Sequence, residues 1–213
     1  MHLSESDVSK YLKLGGNLEN YQQLSCKYYD TLTLYPELAV FSNNIHEIIT
    51  ELNQSYEKWH SWGEIIRSTN NEDWDVIPIY GFGKFTKNSD AFPFLKNIIM
   101  NNDYIDLVSF SKLGKKTILK PHQGWAMTAN VSIRSQLGLI VPEKCGLWVE
   151  SEQKIMGKGI WISFDDSKIH TAFNQSDSDR IVIIIDIKKP EFIKIGNSQV
   201  KNPEYMNKYI IES

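Results

Sequence analysis

The feature that most constrains this chain is a train of short β-type segments that begins at Trp74 and runs almost to the end. They are "WDVIPIYGF", "DLVSFSKL", "TILKPH", "ANVSIRSQLGLIV", "GLWVES", "GIWISF", "HTAFNQ" and "RIVIIIDI". Each is rich in β-branched and aromatic residues, and Gly, Pro, Asn, Asp and Lys punctuate the gaps between them. About eight short strands at this spacing predict a sandwich or a jelly roll. "FPFLKNIIMNN" (92–102) reads as a helical interruption between the first two strands. The run "IVIIIDI" (181–187) is short and broken by Asp186, so it reads as a buried strand and not as a membrane span.

Ahead of residue 72 the pattern is helical. "SESDVSKYLKL" opens with Ser and Asp as cap candidates, followed by Val8, Tyr11 and Leu12 at helical spacing. "ENYQQLSCKYYDTL" and "NNIHEIITELNQSYEKWHSW" read as further amphipathic helices, the second with a stripe of Ile45, Ile48, Ile49 and Leu52. The expected organisation is a helical region over residues 1–72 packed on a β-core over 73–213. The sequence leaves open whether those helices brace the core, cover its pocket or make a dimer.

With 213 residues the chain is long enough for one well-packed domain, with or without a helical annex. A net charge of −3 gives no electrostatic case for a nucleic-acid partner. No segment approaches the roughly 20 apolar residues of a spanning helix, and the first ten residues have no apolar signal-peptide core. Cys26 and Cys145 do not make a disulfide framework, so a reducing, cytoplasmic setting is expected.

Of the five histidines, His2, His46 and His60 have no partners at ligand spacing and read as surface or locally satisfied residues. His122 ends one predicted strand, and His170 opens another after the turn "FDDSKIH". In a jelly roll such strand ends face one mouth, where two imidazoles can bind a divalent metal. The alternative is two unrelated histidines hydrogen-bonded in the core. Arg180 opens the most apolar strand and needs a partner if buried. It reads as an ion pair with a carboxylate such as Asp186, as a solvated strand end, or as a clamp on an acidic small molecule.

Three stretches together resemble the aspartyl/asparaginyl β-hydroxylase family. "FSKLGKKTILKPHQG" is similar to its Phe-Ser-x-Leu … Pro-His-x-Gly segment, and "ISFDDSKIHTAFN" to its Phe-Asp-Asp-Ser-x-x-His segment. "DRIVIIIDIKKP" resembles its closing strand, with the arginine ten residues after the second histidine. The resemblance covers roughly residues 74–192. It implies a mainly β fold, a double-stranded β-helix (a cupin-like jelly roll), and an oxygenase using Fe(II), 2-oxoglutarate and O2. Iron would be held by His122 and His170. The carboxylate usual two residues after the first histidine is replaced by Gly124, with water filling the vacancy. By the same resemblance, Asp165 and Asp166 orient that water or a histidine, or else cap the turn. Arg180 and Ser111 bind the distal carboxylate of 2-oxoglutarate. Gln136 stands where relatives have a histidine that contacts the cosubstrate. Arg134 lies near a substrate carboxylate, or is a solvent-facing arginine on an alternating strand, and Asn130 and Trp125 line the pocket.

The segment "WAMTA" lengthens the interval after His122 relative to the animal enzymes, which puts the substrate in doubt while leaving the metal and cosubstrate expectations standing. The implied reaction is hydroxylation of an unactivated C–H of an amino acid, or of an amino-acid residue in a peptide or carrier-bound substrate. A halogenase using the vacancy at Gly124, and a non-catalytic jelly-roll binding module, are the competing readings. With an aspartate at position 124, iron is expected still to bind, with altered turnover.

Overall fold

The computed structural model describes residues 3–62 and 74–202. The order is α1 (Glu5–Lys13), β1 (Tyr28–Tyr29), α2 (Thr31–Leu34), α3 (Ala39–Asn43), α4 (Ile45–Gln54), β2 (His60–Ser61), β3 (Trp74–Gly81), β4 (Lys84–Phe85) and α5 (Pro93–Met100). It continues with β5 (Ile105–Leu113), β6 (Thr117–Ile118), α6 (Ala126–Ala129), β7 (Ser132–Ile140), β8 (Cys145–Val149), β9 (Glu152–Ile155), β10 (Trp161–Phe164), β11 (His170–Asn174) and β12 (Arg180–Lys188).

Two antiparallel sheets face each other. The larger runs β1-β10-β7-β12-β5-β3-β2, with β4 on β3, and the smaller runs β6-β11-β8-β9. After β5 the chain crosses between the sheets at each step, with only β8 and β9 consecutive in the same one, which is the winding of a double-stranded β-helix. The fold is therefore the jelly roll expected from the strand train, with helices added ahead of it.

The register of β12 explains how the two faces of the large sheet differ. Its residues alternate sides with period two, and from Val182 to Asp186 both neighbours pair with it in one unbroken register. Ile181, Ile183, Ile185 and Ile187 point outward, into a core shared with Leu34, Leu38, Phe41, Ile48 and Leu52 of the helical region. Val182 and Ile184 point inward, against Leu113, Leu119, Leu147, Val149 and Phe164. A run that is apolar at nearly every position is what a strand buried on both faces requires. The helices thus brace the outer face of the sheet, opposite its inner face.

Local signals account for most elements. Ser4 caps α1 by accepting from Asp7 N at 3.1 Å, with acidic residues in the first turn and lysines in the last. Ile48 and Leu52 bury the stripe of α4. Pro93 starts α5 at a position where no donor is lost.

The segment "ENYQQLSCKYYDTL" departs from expectation. It is mostly extended, with only β1 and the one-turn α2 forming there. Leu24 donates to Phe192 O and accepts from Lys194 N, both at 2.8 Å, so the segment's backbone is satisfied by the chain after β12. Tertiary pairing overrides a weak helical period. Asp30, accepting from Thr33 N, then caps α2.

Ile183 is fully buried between the sheet and the helices. Ile183→Ala is expected to cost about 2–5 kcal/mol in urea unfolding. Ile155→Ala, at an exposed position on β9, should stay within about 0.5 kcal/mol of the parent.

Candidate metal and carboxylate site

His122 follows β6, and His170 opens β11. Their backbones exchange two hydrogen bonds, His122 N to His170 O at 3.0 Å and His170 N to His122 O at 2.9 Å. This pair brings the two imidazoles to a centroid distance of 4.3 Å at the mouth of the small sheet. Each ring is oriented by the same local device. Nδ1 of His122 lies 2.7 Å from Lys120 O, and Nδ1 of His170 lies 2.9 Å from Lys168 O. A carbonyl only accepts, so Nδ1 carries the proton in both rings and Nε2 keeps its lone pair for a metal. His46 and His60 are exposed on other elements, and His2 lies outside the described residues. Among the described residues no group of three or more His, Cys, Asp or Glu side chains is arranged to hold a metal. The donor set here is two imidazoles, with the remaining coordination positions left to small molecules.

The question raised by Gly124 has a spatial answer. Residues 122–124 run antiparallel to 166–170, and Gly124 N donates to Asp166 O at 2.8 Å. A Cβ on Gly124 would overlap Asp166 Oδ2, and it would lie 2.5 Å from Asp166 Cγ and 2.9 Å from Ala129 Cβ. The carboxylate of Asp166 therefore fills the space where a side chain at position 124 would stand. An aspartate at 124 therefore requires the Asp166 side chain to move. Asp166 is 2% exposed, its Oδ1 lies 3.3 Å from His170 Nε2, and its Oδ2 has no hydrogen-bond partner. Asp165 turns the other way. Its Oδ1 accepts from Ser167 N and Oγ, which caps the turn, and lies 3.2 Å from Lys189 Nζ.

Arg134 stands on the inner face of β7, directly opposite Asp186 of β12. Its Nε and Nη2 donate to the two oxygens of Asp186 at 2.8 and 2.7 Å, and Nη1 donates to Asp166 Oδ1 at 3.1 Å. Asp186 is thus the partner of Arg134, and the ion pair with Arg180 considered from sequence does not form. Arg134 is not a solvent-facing residue either, since its guanidinium is shared between two buried carboxylates.

Arg180 is left with an unusual environment. It is 2% exposed, and neither Nε nor Nη1 has a hydrogen-bond partner. Burial pushes its pKa down to about 10, so it stays charged at neutral pH. Cross-strand pairing puts Ser111, which faces Val182, on the same inner face. Ser111 Oγ accepts from Trp74 Nε1 at 3.0 Å. Gln136, opposite Ile184, shares that face as well, and its buried Oε1 has no partner.

The segment "WAMTA" contains α6. Trp125 is 6% exposed and stacks on Trp62 at 5.7 Å, while Trp62 in turn lies 5.4 Å from Trp74. These indoles form a wall that reaches His122, 6.5 Å from Trp74. Asn130 is engaged at both ends of its carboxamide, donating to Ser198 O at 3.1 Å and accepting from Ser198 N at 2.7 Å. Ser198 Oγ also donates to Gly124 O at 2.6 Å. A strap after β12 therefore pins the loop that carries Gly124, a role that no sequence signal near Ser198 announced. Asp186 was the legible case, as the single charge inside an isoleucine run.

The residues fit the expected groups. Two oriented Nε2 atoms suit a divalent metal that binds imidazole. A buried guanidinium with unused N–H groups suits a carboxylate. The jelly roll thus carries paired histidines at the start of β11 and a buried arginine with unused N–H groups at the start of β12.

The profile of the family described as Aspartyl/Asparaginyl beta-hydroxylase matches residues 42–190, and the chain belongs to that family. Aspartate beta-hydroxylase domain-containing protein 2 of Mus musculus is 26% identical over 169 residues, covering 72% of this chain and 48% of that protein. The Ornithine lipid ester-linked acyl 2-hydroxylase of Rhizobium tropici is 31% identical over 121 residues, covering 55% and 42%. Among solved structures, a Pseudomonas putida prolyl-4-hydroxylase aligns at a TM-score of 0.47 with 8% identity, over 70% of this chain and 88% of that one. The chain spans less than half the length of these two curated relatives. Among the described residues no helix is long and apolar enough to cross a membrane.

Gly124→Ala is expected to overpack the site by about 1–3 kcal/mol, roughly 2–10 °C in Tm for a chain of this size. In an Asp166→Ala background the same change should cost clearly less. Equal penalties in thermal melts of the two backgrounds would remove the packing account.

Proposed function

We propose that this chain is an Fe(II)- and 2-oxoglutarate-dependent hydroxylase acting on a C–H of an amino acid, or of an amino-acid residue in a peptide or carrier-bound substrate. The observation that carries the reading is Arg180, a buried cation without a counter-ion on the same inner face as Ser111 and Gln136. An acidic cosubstrate supplies that counter-ion. Bound at His122 and His170, Fe(II) with O2 supplies the oxidative decarboxylation of 2-oxoglutarate to succinate and carbon dioxide that drives hydroxylation.

The protein's own part is positioning and exclusion of water. Arg180 takes the distal carboxylate in a two-point contact, with Ser111 and Gln136 offering further polar contacts beside it. The Nδ1 hydrogen bonds keep each Nε2 aimed at one point. Asp166 Oδ2 is available to accept a hydrogen bond from water beside the histidines. Trp125, Trp62 and Trp74 shield one side from solvent. No protein base is required for removal of hydrogen from carbon.

The space beside Gly124 holds an anionic carboxylate, which repels a halide, and this supports hydroxylation over halogenation. A buried unpaired arginine is a costly feature for a binding module with no acidic ligand. A second reading of the substrate, one carrying an acyl chain as the Rhizobium relative's name describes, is favoured by one observation. Val131 and Ile195 are exposed and line a cleft of about 520 Å³ together with Leu3, Tyr21 and Pro190. A panel of free, peptidyl and N-acylated amino acids, incubated with iron and 2-oxoglutarate and read by mass gain, separates the two.

Arg180→Lys should weaken 2-oxoglutarate by at least about tenfold in calorimetric titration of the Mn(II)-loaded protein. A charge-assisted contact contributes on the order of 1.5–3 kcal/mol, and lysine cannot fork. Normal binding would reduce Arg180 to a structural residue. His122→Ala or His170→Ala should abolish tight divalent-metal binding, whereas His46→Ala should leave it unchanged.

A further inference from the structure

We infer that Asp186 is a positioning residue of this site: through Arg134 it sets how Asp166 faces the two histidines. The inference rests on the proposed metal site and deepens it, because Asp186 itself touches neither imidazole in the contacts described.

The chain of contacts is short and directional. Asp186 takes the Nε–Nη2 edge of Arg134 with both oxygens, which fixes the plane of the guanidinium. Only then does Nη1 point at Asp166 Oδ1, 3.1 Å away. With Oδ1 held there, Oδ2 is turned toward Gly124 and keeps its lone pairs unspent. Asp166 and Asp186 are both about 2% exposed, so water does not substitute for these contacts.

Charge points the same way. One guanidinium is set against two carboxylates, so with both acids ionised the group carries a formal charge of −1, which favours a bound cation. Removing the charge of Asp186 brings that sum to zero. It also frees a second edge of Arg134 to take both oxygens of Asp166, withdrawing Oδ2 from the site. Both changes lower metal affinity. The strand geometry makes the arrangement economical, since Asp186 lies six residues from Arg180 on the same inner face of β12.

The test is a double-mutant cycle on metal affinity, with Mn(II) as the probe and free Mn(II) read by electron paramagnetic resonance. Folding of each variant is checked by circular dichroism. Asp186→Asn should weaken Mn(II) by roughly 10- to 100-fold, the usual range for a group that acts through a neighbour of the metal. In an Asp166→Asn background the same change should cost at least about tenfold less, because the positioning route is gone and only the direct effect of the lost charge remains. Asp186→Glu, which keeps the charge, should restore most of the affinity. Wild-type Mn(II) affinity in Asp186→Asn, or a full loss that persists in the Asp166→Asn background, overturns the relay while leaving the metal site standing. Failure of the unmodified protein itself to bind Mn(II) overturns both. If Asp186→Asn does not fold, Arg134→Lys interrogates the other link: it keeps the cation but loses the fork, and unchanged Mn(II) affinity there overturns the inference equally.

Discussion

Strand β12 is the constraint on which the rest of the structure depends. It sits between β5 and β7 in the large sheet and is buried on both faces. Its odd-numbered isoleucines hold the helical region, and its even-numbered positions face the barrel interior. A shift of one residue in its register would exchange those two sets, exposing the interior to four isoleucines and sending Arg180 and Asp186 under the helices. The identity of the site is therefore tied to the same alternation that holds the two layers together.

The interior face carries more charge than a core tolerates without purpose. Arg134 links Asp166 and Asp186, and Lys189 meets Asp165 nearby. Among the described residues Arg180 has no carboxylate partner. An unpaired buried ion costs several kcal/mol, so it persists only where something else offsets the cost. The large sheet and its helices supply that margin, and in the proposed account a bound carboxylate recovers it during turnover. Stability and binding thus meet at one residue.

Much of this was legible in the sequence, and the remainder has identifiable physical reasons. The eight strands expected from β-branched alternation all contribute strand residues, because each has an apolar face to bury. Strand β9, "EQKI", was not anticipated, since all four residues are exposed and no alternation marks it. The stretch around Leu24 carries a helical period but is held extended by residues 192–194. His122, His170 and Arg180 were recognisable from ordered motifs. The roles of Arg134 and Asn130 were harder to read because their partners are distant in the chain: Asp186 lies 52 residues from Arg134, and Ser198 lies 68 from Asn130. Local pattern reports which face a side chain takes; it does not report which buried group will be waiting there.

The central claim is that one pocket joins a two-histidine metal site to a buried arginine that awaits a carboxylate. A crystal structure of the protein with Mn(II) and 2-oxoglutarate tests it most directly. The account predicts the metal on Nε2 of both His122 and His170, and the distal carboxylate of 2-oxoglutarate hydrogen-bonded to the Arg180 guanidinium. Metal bound elsewhere, or 2-oxoglutarate seated away from Arg180, would contradict it.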